Sequence, residues 1–229
     1  MKRVLQPELL DHLRPDDPRA IHSRRDLRRV NRWMGNHTRL AGVLSNALNG
    51  HGLNRVTELG AGDGDFLLQV AKRIDPHRRN VKATLLDLRP NVCDETIRAF
   101  AASGWSVELF VADVFDWLPA SGDHEVVIAN LFLHHFTDAQ LTKLFGLISK
   151  RGKYFVAVEP RRAPLALFCS RLLWAIGCNG VTRHDAVISV RAGFTGNELS
   201  ALWPAGPDWE LREQRAGAFS QLFVARKIK

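Results

Sequence analysis

Three glycines at alternate positions, Gly60, Gly62 and Gly64, stand between an apolar run ending at Leu59 and an apolar-periodic segment over 66–71. Carboxylates crowd them at Glu58, Asp63 and Asp65. A glycine turn between strand and helix lets the backbone approach a ligand closely. The dinucleotide fingerprint G-x-G-x-x-G would need its third glycine at 65, where the chain has Asp65. A loop cradling pyrophosphate would not gather so many carboxylates, whereas an ammonium or sulfonium group tolerates them. Asp87 follows Gly64 by 23 residues and ends the next apolar run, where a carboxylate can accept from both hydroxyls of a ribose. Asp113 and Val114 follow a third run, where an adenine could be read by its amino group and its face. Each feature has a plain structural alternative: a tight turn for the glycines, a helix N-cap for Asp87, a loop acid for Asp113.

The elements around these residues alternate. Residues 55–59, 81–87, 107–111, 125–130 and 154–159 read as strands. Segments 66–71 (stopped by Asp75-Pro76), 91–102 and 137–149 read as helices. That alternation predicts right-handed βαβ units and a parallel sheet. Two further β-like runs, 209–215 and 219–226, are joined by a link around Gly217 too short for a parallel crossover, so they form an antiparallel pair. The expected fold is α/β, with a Rossmann-like, mostly parallel seven-stranded sheet. Ligands of such sheets bind at the carboxyl ends of the strands. Those ends are Glu58–Gly64, Asp87, Asp113, Asn130–His135 and Glu159. Before the first strand, Leu27, Val30, Met34, Ala41, Leu44 and Leu48 recur at helical intervals broken near Gly35-Asn36, and arginines fill the other face. Residues 1–52 are therefore expected to form a helical extension, and 53–229 the binding domain with a lid-like insertion over about 160–200.

In that order and spacing, TELGAGDGDF, Asp87, VADVFDWL and VVIANLFLHHF resemble class I S-adenosylmethionine-dependent methyltransferases, over about residues 53–160. The resemblance implies that the three glycines admit the methionine moiety and that Glu58 positions their loop. It implies that Asp87 with Leu88 holds the ribose, that Asp113 and Val114 flank the adenine, and that Asn130 borders the same site. No metal is implied.

Methyl transfer from a sulfonium is an in-line displacement, in which the enzyme mainly aligns the nucleophile and excludes water. A phenol or alcohol also needs a base. His134 and His135 follow the fourth strand, and His184 stands beside Asp185, a base and orienter in principle although neighbours in sequence rarely face each other. Glu159, which ends the fifth strand, is a further candidate to take the proton or to contact the acceptor. A D/N-P-P-Y-type element is absent after that fourth strand, and the paired glutamates of arginine methyltransferases are not recognisable, which favours small-molecule acceptors over nucleic acid. Ala163–Cys178 is an apolar stretch of 16 residues, too short and interrupted to span a bilayer. It reads as a core helix, or as a lid or interfacial helix that admits a lipidic or aromatic acceptor, with Phe168 and Trp174 as pocket walls and Arg161 and Arg162 meeting the acceptor's polar end or a membrane surface. LRRVNRWMGNH, HDAVISVRAGF and FSQLFVAR also resemble bacterial methyltransferases that accompany type III polyketide synthases making phenolic lipids. That resemblance implies O-methylation of a long-chain phenol or resorcinol.

The 229 residues carry a net charge of +8, and residues 1–50 hold ten Lys+Arg against five acids. A solvated helix face, an anionic substrate or membrane surface, and nucleic acid all fit such a bias. Three cysteines without a CxxC pair argue against a disulfide framework or a cysteine zinc site. With no apolar signal segment, the expectation is a cytoplasmic protein, with peripheral membrane contact as a further option. The alternatives are a C-methyltransferase of a quinone precursor, a non-catalytic scaffold using the basic N-terminal helix, and a nicotinamide-dependent oxidoreductase disfavoured by Asp65.

Overall fold

The computed structural model describes residues 1–47, 53–74 and 80–228. Asp75-Pro76, Leu48 and the expected boundary at residue 52 lie outside the described residues. Seven strands form one sheet: β1 Arg55–Leu59, β2 Val81–Asp87, β3 Trp105–Val111, β4 His124–Asn130, β5 Gly152–Pro160, β6 Trp209–Ala216 and β7 Ser220–Lys227, in the order β3-β2-β1-β4-β5-β7-β6. β1 to β5 pair in parallel. β7 runs antiparallel to β6, as expected, but it is inserted between β6 and β5 and is antiparallel to both. Its side chains explain the placement: Ser220 to Ala225 are all buried, whereas most of β6 is not. The inner position belongs to the strand that is apolar on both faces.

Alternate residues of the central strands feed two cores. Val56, Ile128, Val156, Val158 and Leu222 pack on one face with Leu40, Leu44, Leu67 and Val70. Val127, Ala129, Phe155, Ala157 and Phe223 pack on the other with Leu118, Leu144, Phe145 and Trp203. The period of two along each strand is what sends neighbours to opposite faces. The covering helices include α3 Asn36–Ala47, α4 Asp65–Ala71 and α5 Asp94–Ala102 on the first face and α6 Val114–Ala120 and α7 Asp138–Arg151 on the second. α5 starts three residues later than the sequence suggested, and β3 begins at Trp105 rather than Val107 because Trp105 is itself buried against Phe100.

The N-terminal region is helical but does not stand apart. α1 Leu9–His12 is a single turn, and α2 Pro18–Met34 starts on Asp17, whose carboxylate accepts from Arg19 N, with Pro18 at the first position. α2 ends at Gly35 in the left-handed region (φ 70°), which creates the break before α3. Asp26 on α2 is buried, and it accepts from Asn179 N at 2.8 Å, Thr182 Oγ1 at 3.2 Å and Arg29 Nη2 at 2.8 Å. Asn179 and Thr182 open α9 Gly180–Ala192, so one carboxylate fixes α2 to α9. Asp185 of α9 in turn accepts from the backbone N–H of Leu9 and Leu10 at 2.8 and 2.9 Å. The first residues continue as a strap, with Val4 N bonded to Arg191 O and Arg3 bonded to Ala192 O, Phe136 O and Asp138.

The apolar stretch after β5 departs from expectation. Instead of one core helix it forms α8 Pro164–Arg171 and a separate 3-10 turn, Leu173–Ile176. α8 turns Ala166 and Ser170 inward and leaves Leu165 and Phe168 out. Among the described residues, no helix is long and apolar enough to cross a membrane.

Replacing Asp26 with alanine is expected to destabilise the fold by about 1–3 kcal/mol, because it removes the acceptor of the half-buried Asn179 N–H and leaves the Thr182 hydroxyl with Ser23 Oγ alone. Urea denaturation followed by circular dichroism measures this; a loss under about 0.5 kcal/mol, the scatter of ordinary surface substitutions, would show that α2 does not depend on Asp26.

Candidate active site

The glycine loop joins β1 to α4 and is bent by three positive φ angles, 69° at Gly60, 55° at Gly62 and 73° at Gly64. Gly60 is required by space as well as by angle. A Cβ on Gly60 would lie 2.3 Å from the Phe132 ring, whereas a Cβ on Gly62 would meet nothing within 4 Å and would fill the open approach to the loop. Gly64 packs toward Leu85 and Thr96 instead. Asp87 at the end of β2 locks the loop: Oδ2 accepts from Gly62 N at 2.8 Å and Oδ1 from Arg89 N at 2.7 Å. Asp87 is therefore not a helix cap, and its carboxylate faces the loop.

A cleft of about 200 Å³ opens over this loop, lined by Glu58, Gly60, Gly62, Asp63 and Asn130 among others. Its opposite wall is α2, which contributes Arg24, Arg28 and Arg32, with Leu10 of α1 beside them. Part of the arginine row thus borders the cleft while remaining partly in solvent. Arg28 Nη1 pairs with Asp63 Oδ2 at 2.8 Å. Glu58 is fully buried, and its Oε2 has no hydrogen-bond partner among the described residues. Burial, with Asp63 and Asp87 nearby, pushes its carboxyl well above the usual range. Burial also raises Asp63, against the pull of the Asp65 amide and Arg28.

Not every expected residue reaches this cleft. Asp113 is the N-cap of α6, accepting from Phe115 N at 2.8 Å, and Val114 is buried in the second core. The first turn of α6 uses a capping acid and an inward apolar residue at these two positions. Leu88 and Val111, at the ends of β2 and β3, are exposed apolar side chains beside Asp87.

At the end of β4 the backbone reverses sharply. Leu131 has φ 52°, one of two non-glycine residues in the left-handed region among the described residues, a conformation that costs about 1–2 kcal/mol. The turn aims three successive N–H groups, of Phe132, Leu133 and His134, at the buried Glu159 carboxylate at 2.9, 2.9 and 3.3 Å. Glu159 also bonds His134 Nδ1 at 2.8 Å, and His134 Nε2 meets Glu8 Oε1 at 3.3 Å. Burial alone would lower the pKa of His134, but hydrogen bonds to Glu159 and Glu8 outweigh it and hold it at about 9. Glu8 is held at about 2, its burial being overcome by His134. His134 is therefore an imidazolium between two carboxylates, with no ring nitrogen free to take a proton.

His135 is different. Although its ring stands partly open to solvent, desolvation at the cavity wall and the charge on His134 lower it to about 4, so its imidazole is neutral at neutral pH. It lines a cavity of about 340 Å³ with Leu5, Glu8, Asp11, His134 and Ile188. Asp11 Oδ2 lies 3.7 Å from His135 Nδ1, and although more than half of its side chain is exposed, partial desolvation with the charges of Glu8 and Asp185 raises Asp11 to about 6. α1 borders both this cavity and the glycine cleft, presenting Asp11 to the one and Leu10 to the other.

The remaining candidates lie elsewhere. His184 and Asp185 do face each other, at 2.9 Å, contrary to expectation, but Asp185 is committed to the strap and neither residue lines a described cavity. Arg162 is buried, and its donors go to Met1 O, Gly193 O and Glu198. Its guanidinium therefore braces the chain rather than meeting an acceptor. Glu159 is wholly enclosed and positions the turn. Phe168 and Trp174 are 58% and 61% exposed and wall neither cavity, because α8 seats its small residues inward. The sequence reading missed Glu8, Leu10, Asp11, Arg28, Leu131 and Phe132. The N-terminal three reach the site across more than a hundred residues of chain and carry no local motif.

Comparison with known proteins gives this geometry a context. Residues 56–152 match the family model of a methyltransferase domain. No curated protein sequence matches the chain. Among solved structures, the plantazolicin methyltransferase BpumL in complex with SAH is similar over 93% of this chain and 91% of its own, at 11% identity and TM-score 0.63. The mitomycin 7-O-methyltransferase MmcR is similar over 95% of this chain and 60% of its own, at 20% identity and TM-score 0.58. Magnesium protoporphyrin IX methyltransferase from Synechocystis PCC 6803, with bound SAH, is similar over 85% and 82%, at 11% identity and TM-score 0.50. With its central strands in a matched methyltransferase domain and its seven-stranded sheet shared with these structures, the chain has the Rossmann-like class I methyltransferase fold.

Proposed function

We propose that the protein is an S-adenosylmethionine-dependent methyltransferase that methylates an oxygen of a small aromatic or lipidic acceptor, of the phenolic type. The observation that carries the reading is the pairing of two neighbouring sites that α1 borders: a glycine cleft with opposed charges, and a cavity holding a neutral histidine.

The cleft suits the zwitterionic end of the cofactor. Glu58, Asp63 and Asp65 lie on the loop side for an ammonium, and Arg24, Arg28 and Arg32 lie on the α2 side for a carboxylate. The unpartnered Glu58 oxygen and the open space at Gly62 are what a bound group would complete. Asp87 stands where ribose hydroxyls would be held, and Leu88 and Val111 offer apolar surface for the base. When bound, S-adenosylmethionine supplies a sulfonium methyl group open to in-line displacement. The chain's own part is then positioning and proton removal. His135 takes the acceptor's hydroxyl proton at Nε2, with Nδ1 turned toward Asp11. His134 and Glu159 hold His135 and the turn in place without exchanging protons themselves. α1 closes over both cavities and limits water.

Nicotinamide chemistry fits less well, since the loop carries Asp65 at the fingerprint's third glycine. Isothermal titration checks this: S-adenosylhomocysteine is expected to bind and NAD is not, and the reverse would overturn the reading. Asp87→Ala is expected to weaken S-adenosylhomocysteine about 10–100-fold, roughly 1.4–3 kcal/mol; unchanged affinity would remove Asp87 from the site. With long-chain resorcinols as acceptors, His135→Ala is expected to lower turnover by about 10²–10⁴ with S-adenosylhomocysteine affinity intact. NMR of the product should place the methyl on oxygen; methylation at a ring carbon would contradict the assignment. The activity profile should rise as pH passes about 4, where His135 becomes neutral, and fall near 9, where His134 loses its proton and releases Glu8. His134→Gln should abolish that alkaline limb, and a limb that persisted would separate it from His134.

A further inference from the structure

α8 and the following 3-10 turn invert the usual logic of a surface helix. Such helices bury a stripe of large apolar residues and expose polar ones. Here Ala163, Ala166 and Ser170 are buried, while Leu165, Phe168 and Leu172, spaced i, i+3, i+7, are 56%, 58% and 40% exposed. Trp174 and Ile176 extend the patch at 61% and 54%. Five large apolar side chains within a dozen residues is more than scattered surface hydrophobicity, and it marks an interaction surface.

Charge says what covers it. From Arg161 to His184 the sequence contains no Asp or Glu, but it has Arg161, Arg162, Arg171 and Arg183. Of these, Arg171 is exposed beside the patch. α2 packs next to the turn: Arg29 Nη2 lies 3.3 Å from Ile176 O, and Arg25 and Arg29 are exposed one helical turn apart. Arg29 shares its charge with Asp26, whereas no ion pair of Arg25 or Arg171 is found among the described residues. Trp33, at the end of α2, is 71% exposed and stacks on Phe219 at 5.4 Å. A symmetric contact with a second copy would bring this arginine-edged patch against itself, like charge against like. An apolar face with an interfacial tryptophan and an arginine rim instead matches the acyl-headgroup boundary of an anionic bilayer.

We infer that the α8–turn segment docks the protein onto anionic membrane surfaces, with Phe168 and Trp174 inserted and Arg25 and Arg171 on the headgroups. This does not depend on the methyltransferase reading, although such a surface is where a lipidic acceptor would be met.

Co-sedimentation of the full chain with phosphatidylglycerol or phosphatidylcholine vesicles tests it, alongside light scattering in solution. Binding is expected to phosphatidylglycerol, about tenfold or more weaker to phosphatidylcholine, and reduced by salt. Phe168→Ser with Trp174→Ser, and separately Arg25→Gln with Arg171→Gln, should each cut the bound fraction roughly tenfold. Because these side chains are exposed, thermal midpoints and S-adenosylhomocysteine affinity should not change. Failure to bind phosphatidylglycerol, or equal binding by the serine variant, would overturn the inference. So would a wild-type dimer that the serine variant converts to a monomer, which would assign the patch to a second copy.

Discussion

The site depends on one buried carboxylate. Glu159, at the end of β5, has no exposed surface and is satisfied by three backbone N–H groups and one imidazole. A lone carboxylate in such a place would be costly, so every donor around it is fixed. Those donors define the turn after β4 and, through it, the strained Leu131 and the placement of Phe132 over Gly60. The glycine loop and the histidine cavity thereby share a foundation.

From that carboxylate, charge alternates outward: Glu159, His134, Glu8. The alternation lets the imidazolium persist in a buried position and gives the N-terminal strap an ionic anchor next to its backbone bonds to Asp185 of α9. It also separates two adjacent histidines chemically. His134 is held charged, and its charge, with partial desolvation at the cavity wall, keeps the solvent-facing His135 neutral. Environment rather than residue type makes one a fixture and leaves the other able to accept a proton.

Local patterns in the sequence carry much of this arrangement. The alternation of strands and helices, the antiparallel final pair and the glycine loop with Asp87 all follow from signals of short range along the chain. The remainder rests on long-range pairing. β7 cannot be placed between β5 and β6 from a hairpin signal alone, because only its two-sided burial decides the order. Asp113 and Val114 occupy the positions expected of adenine contacts, yet a helix start needs the same two residue types. Phe168 and Trp174 read as pocket walls since apolar residues usually face inward, and α8 does the reverse. Glu8 and Asp11 carry no motif, and their neighbours at His134 and His135 are more than 120 residues away.

The division of labour between the two histidines is the claim on which the rest turns. Nitrogen-edited NMR of imidazole-labelled protein, with His134 and His135 assigned by single variants, reads both ring nitrogens directly as pH is varied. The account requires His134 to remain doubly protonated until pH approaches about 9 and His135 to stay neutral down to about 4. Two histidines titrating together near the ordinary value of about 6.5, or a His135 that is charged at neutral pH, would contradict it.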